Sequence, residues 1–173
     1  MECFIAEQAF ISLLVSSIEV YKKECYGLLL GNRQKERWIV RYAVPYQSAE
    51  RSQSEVRWNH RRDQRIRRFL TRLPDVELLG DFHSHTALDK KLSVTPSKVD
   101  LQGMKREEIY LIVGIDKKLK LLPWGNNRDG TLSGTVDDFV VKIRAYYQKG
   151  KAEPNPKWRY AKVVCPFATG FHS

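Results

Sequence analysis

Residues 76–85 read Val76-Glu77-Leu78-Leu79-Gly80-Asp81-Phe82-His83-Ser84-His85, followed by the polar stretch Thr86–Pro96 and then by Ser97-Lys98-Val99-Asp100. The first segment has the composition of a strand, and on an extended chain residues two apart point to the same side. His83 and His85 can therefore meet one metal ion while Ser84 faces away. The strand ends there, at a sheet edge where a site opens to solvent. Ser97–Met104 reads as the start of a helix, and Asp100 in its first turn is the candidate third ligand. A catalytic zinc takes three protein ligands and keeps a fourth position for water. Two neutral imidazoles and one carboxylate leave such an ion net positive, which favours acidifying water and polarising a carbonyl. By itself an H-x-H pair is more often structural than catalytic.

The surrounding segments supply a scaffold. Phe10–Lys23 places Phe10, Leu13, Leu14, Ile18 and Tyr21 three and four apart, which predicts an amphipathic helix. Cys25–Gly31 and Trp38–Val44 read as strands, and Gln47–Ser54 as a loop. Trp58–Leu73 returns to helical spacing, with Ile66, Phe69, Leu70 and Leu73 on one face and Pro74 as its stop. Ile109–Ile115 and Leu119–Trp124 suggest a buried hairpin turned at Asp116–Lys118, with Gly125–Gly134 a loop. Phe139–Tyr147 fits a strand and a helix equally, and Pro154 and Pro156 precede a short segment, Trp158–Phe167. Helices and strands in this order predict an α/β (α+β) fold, one sheet covered by helices. At 173 residues the expectation is a single domain, 1–173, with a core of 10–150 and a C-terminal extension of 151–173.

Composition narrows the class. The chain carries 30 Lys+Arg against 20 Asp+Glu, a formal charge of +10, with 42% hydrophobic residues. The charge invites a nucleic-acid reading, but no groove-reading motif accompanies it. Much of it lies in Arg57, Arg61, Arg62, Arg65, Arg67, Arg68 and Arg72, along one predicted helix. That row is either a solvated face or a surface for an acidic partner. No apolar run reaches the roughly 20 residues of a membrane span. The start, Met1-Glu2-Cys3, has no signal-peptide pattern. Cys3, Cys25 and Cys165 form no C-x-x-C pair, which fits a reducing cytoplasm.

The set Glu24, His83, His85, Ser97 and Asp100 resembles the E…HxH…SxxD motif of the JAMM/MPN zinc metalloprotease family, over roughly Phe10–Trp124. The segment Lys22-Lys23-Glu24-Cys25-Tyr26-Gly27-Leu28-Leu29-Leu30-Gly31 looks like that family's opening, and the compact length resembles its prokaryotic members. The resemblance implies an MPN-like domain with a mixed, curved sheet of cytidine-deaminase-like architecture. It implies one Zn2+ per chain on His83, His85 and Asp100, with Glu24 as proton shuttle and Ser97 as donor to the oxyanion. The implied activity is cleavage after the C-terminal tail of a ubiquitin-like protein, free or conjugated. The implied setting is a bacterial conjugation or antiphage system with E1- or E2-like enzymes.

Two departures stand out: Thr86 replaces the usual proline after His85, and the eleven-residue spacer Thr86–Pro96 is long. The tail would add to a sheet edge near Ser52–Trp58, which makes Ser54, Trp58 and Arg65 candidate substrate contacts. Competing readings are a non-catalytic MPN-like scaffold and a basic nucleic-acid module with an incidental H-x-H. The partner expected is the ubiquitin-like protein, in preference to nucleic acid or membrane.

Overall fold

Ile109–Ile115 is buried along its whole length, which a strand achieves only with neighbours on both edges and cover on both faces. In the structure, a computed structural model describing residues 1–46, 50–51, 56–57, 60–87, 92–117, 121–148 and 158–170, this run is the centre of a closed sheet. The elements are β1 (Glu2–Ile5), α1 (Glu7–Glu19), β2 (Tyr26–Gln34), β3 (Arg37–Pro45), β4 (Glu50–Arg51), β5 (Val56–Arg57) and α2 (His60–Leu70). They continue with β6 (Glu77–Thr86), α3 (Lys98–Gly103), β7 (Ile109–Lys117), β8 (Gly125–Asn126), β9 (Leu132–Val136), β10 (Phe139–Gln148), β11 (Trp158–Val164) and α4 (Pro166–Thr169). The strand order is β11-β1-β3-β2-β6-β7-β10-β9-β8, and a further β11–β10 pairing closes the ring. The curved sheet is thus barrel-like, with parallel β6–β7, β1–β3 and β1–β11 pairs among antiparallel ones.

The ring's inner residues, among them Ile5, Leu29, Trp38, Val40, Phe82, Leu111, Val113, Ile143 and Val163, form one buried cluster with Phe10 and Leu13 of α1. The outer face carries two smaller clusters. Tyr26, Leu28, Leu30, Tyr46 and Leu70 pack under α2, and Val94, Met104, Tyr110, Ile112 and Tyr146 pack beside α3.

Several expectations change. Residues 121–124 form no strand, Leu121 is 74% exposed, and β7 bonds to β6 and β10 instead of a hairpin mate. Both edges of β7 are taken, so no place remains for such a mate; 118–120 lie outside the described residues. Gln47–Ser54 contains β4, paired with β5, and Gly125–Gly134 contains β8 and the start of β9. Phe139–Tyr147 is a strand, bonded to β7 along its length. Phe69 is 62% exposed, off the buried face of α2. Burial of Asp63 supplies the reason: that side of the helix is turned to a polar anchor.

The anchor is a buried network. Arg67 Nε donates to both Asp63 oxygens at 2.9 and 3.0 Å, and Tyr46 Oη donates to Asp63 Oδ1 at 2.5 Å. Arg67 Nη2 also donates to Tyr26 Oη at 3.3 Å, which in turn donates to Asp81 Oδ2 at 3.2 Å. Removing one partner of a buried ion pair strands the other. Arg67→Met is therefore expected to cost about 3 kcal/mol in urea unfolding, and exposed Arg68→Gln no more than about 0.5 kcal/mol.

Gly80 sets the entry to the histidine pair. Its φ is +152°, and a Cβ there would lie 1.9 Å from the Ile109 carbonyl oxygen. The β2–β6 register shifts at this point, between Leu29 and Leu30. Gly80→Ala is expected to lower stability by about 3 kcal/mol or more, read as a fall in the urea midpoint.

Candidate metal centre

β6 delivers both histidines from its C-terminal end. Phe82 and Ser84 are fully buried and point into the ring, so Asp81, His83 and His85 share the outer face. The middle residue of H-x-H does more than face away. Ser84 N–H donates to the Cys25 carbonyl at 3.1 Å, and Ser84 Oγ accepts from Cys25 N–H at 2.8 Å. These bonds carry the contact between the two segments one residue past Tyr26↔His83, and the next residue along the chain, Glu24, is half-buried. The signal for this role was a small hydroxyl residue between two histidines at a strand end.

α3 supplies the third group through a capping box. Ser97 is the N-cap, its Oγ accepts from Asp100 N–H at 3.1 Å, and Asp100 Oδ2 accepts from Ser97 N–H at 2.6 Å. The S-x-x-D spacing thus has a structural cause: cap and third helical residue hold each other. It also leaves the Ser97 hydroxyl proton free to be donated, since only an acceptor position is used.

The three side chains converge. His83 Nε2 and His85 Nε2 are 3.0 Å apart, and they lie 3.5 and 3.6 Å from Asp100 Oδ1 and Oδ2. A zinc ion about 2.0–2.1 Å from each donor needs donors about 3.3 Å apart in a tetrahedral arrangement. The observed spacings lie near that value with Asp100 presenting one oxygen to each imidazole, and the donor set of two imidazoles and one carboxylate suits zinc. Among the described residues this is the group of three His, Cys, Asp or Glu side chains able to hold one ion.

Burial raises the Asp100 pKa, but hydrogen bonds with His83 and His85 and from the Ser97 amide outweigh it. The carboxyl is held well below the usual carboxylate range. Two residues before His83, burial dominates instead: Asp81 is pushed up to about 7, although Arg67 opposes the shift.

The remaining candidates are placed less centrally. Ser54 and Trp58 lie outside the described residues. Arg65 is exposed on α2, and no hydrogen bond or ion pair joins it to the metal triad among the described residues. Cys25 is a buried thiol 3.6 Å from Ser17 Oγ, and Cys3 and Cys165 are also buried and unbridged. No helix is long and apolar enough to cross a membrane among the described residues.

A family model described as prokaryotic homologs of the JAB domain matches residues 7–124. A solution structure of a protein from Desulfitobacterium hafniense is similar at TM-score 0.62 and 17% identity, covering 94% of this chain and 92% of that one. A JAB1/MPN domain protein from Archaeoglobus fulgidus aligns at TM-score 0.46 and 14% identity, over 94% of this chain and 98% of that one. No curated protein matches the sequence.

Proposed function

Because the chain belongs to the family of prokaryotic homologs of the JAB domain, we propose that it is a zinc-dependent peptidase or isopeptidase that cuts after the C-terminal tail of a ubiquitin-like protein. The observation that carries this reading is the convergence of His83, His85 and Asp100; Glu24 directly precedes Cys25, which is bonded to Ser84 between the two histidines. In the same reading the protein works in a reducing cytoplasm, where its buried cysteines stay free. It serves there beside E1- or E2-like enzymes of a bacterial ubiquitin-like conjugation system, such as one used against phage.

His83, His85 and Asp100 would hold the ion, and a bound zinc would supply Lewis acidity to water and to a carbonyl oxygen. The residues of the chain do the rest. Asp100 stays ionised because the two imidazoles and the Ser97 amide favour its charged form. The Glu24 carboxylate accepts a proton from the attacking water and delivers it to the leaving amine. The Ser97 hydroxyl, fixed at the helix N-terminus, donates to the oxygen that becomes negative. Base, ligand pair and third ligand come from three segments, so the site exists only when β2, β6 and α3 are assembled.

The test is zinc content and cleavage together. Protein purified without chelator is expected to hold about one zinc per chain and to release a ubiquitin-like domain from a linear fusion. A chelator should stop the reaction and added zinc restore it. Metal-free protein that still cleaves, or protein that never takes up zinc, would sink the proposal. Zinc uptake without cleavage of any linear or lysine-linked ubiquitin-like substrate would favour a scaffold instead.

A further inference from the structure

Among the arginines of α2 and the turn after it, one is turned inward and a row faces out. Arg67 is turned inward and bonded to Asp63 and Tyr26. Arg61, Arg65 and Arg68 are exposed, and Arg72 follows, exposed, in the turn that ends the helix. Within α2, positions 61, 65 and 68 keep the spacing i, i+4, i+7, so they form one stripe about 10 Å long at 1.5 Å per residue, with Arg72 in the turn beyond it. The stripe points away from the buried side carrying Asp63 and Leu70. Among the described residues none of these four guanidinium groups is paired with a carboxylate. Phe69, beside the stripe, is 62% exposed.

This arrangement works against the helix. Like charges three and four residues apart repel, and a cation in the first turn, Arg61, opposes the helix dipole. Arg67 and Asp63 hold the helix in place in spite of that. An arginine row with an adjacent aromatic has the composition of an interaction surface, where Arg and Phe are enriched. We propose that this outward row of α2 is a docking surface for an acidic face of a protein partner.

Three observations favour a protein over a nucleic acid. The row is short and sits on a convex helix instead of a groove. Among the described residues Phe69 is the single aromatic on α2, whereas single strands are held on successive stacking rings. Exposed Asp75 and Glu77 follow directly after Arg72 and would repel a phosphate chain that ran on.

The inner side of the helix that carries the row is linked to the strand of the metal centre. Tyr26 Oη bridges Arg67 and Asp81, and Tyr26 is the cross-strand partner of His83. α2 therefore stands on the same outer face as the triad, about 7 Å along β6 from His83 to Asp81 at 3.3 Å per residue. That the docked protein is the substrate rests on the peptidase reading; the docking itself does not.

Binding to the zinc-free full chain tests it without catalysis. The probes are a labelled helical peptide with Glu at i, i+4, i+7 and i+11, and a labelled oligothymidylate of matched charge, read by fluorescence anisotropy. The peptide is expected to bind, more weakly as salt rises. An exposed ion pair is worth up to about fivefold in affinity, so Arg61→Gln/Arg65→Gln/Arg68→Gln together should weaken peptide binding by about tenfold. The melting temperature should hold steady or rise. No peptide binding, or peptide binding that the triple variant leaves unchanged, overturns the proposal. So does tighter, stripe-dependent binding of the oligothymidylate, which would make this a nucleic-acid surface.

Discussion

His85→Ala is expected to lose zinc and cleavage together while the chain stays folded. His85 Nε2 is 3.0 Å from His83 Nε2 and 3.6 Å from Asp100 Oδ2, so its loss leaves two protein donors where a stable zinc site has three or four. Perturbing only the groups behind the ligands costs about 10–100-fold in affinity; removing a ligand should cost more, on the order of 1000-fold. The side chain is half-buried at a strand end, so stability without metal should change by no more than about 1 kcal/mol. Zinc at about 1000 times its dissociation constant stabilises by about 4 kcal/mol, and that gain should vanish from thermal melts of the variant. Metal content by elemental analysis and melting with and without zinc give the two readings. Full zinc occupancy in His85→Ala would remove His85 from the site.

The histidine pair was legible in the sequence because its geometry is local: residues two apart on a strand share a face. Asp100 could be named from its place in the first turn of the next helix, but its meeting with the pair is set by the assembled fold. The closure of the sheet was not legible. β1 is only Glu2–Ile5, and β11 lies in the stretch set apart as an extension, yet together they join β3 to β10. Such long-range pairing leaves no mark in periodicity. Phe139–Tyr147 stayed ambiguous because both sides of β10 are largely covered, which blurs period 2 into a general apolar signal. The inward turn of Arg67 was hidden for a related reason. Asp63, Tyr26 and, through Tyr26, Asp81 come from three elements, and only their assembly separates Arg67 from the outward row.

Glu24→Gln is expected to separate the chemistry from the metal. Glutamine keeps the size and hydrogen-bonding reach of glutamate but cannot take up a proton at neutral pH. General acid–base groups contribute about 100–10,000-fold, and a residue that both accepts and returns the proton should lie toward the upper end, so kcat should fall by about 1000-fold or more. Zinc occupancy should stay at the wild-type level, because His83, His85 and Asp100 are untouched. The melting temperature should stay close as well, since the substitution is isosteric and Ser84 holds the neighbouring Cys25 backbone. His85→Ala and Glu24→Gln then fail in different ways, one without metal and one with it. If Glu24→Gln cleaved at the wild-type rate, or shed its zinc, the proton shuttle assigned to Glu24 would have to be given up.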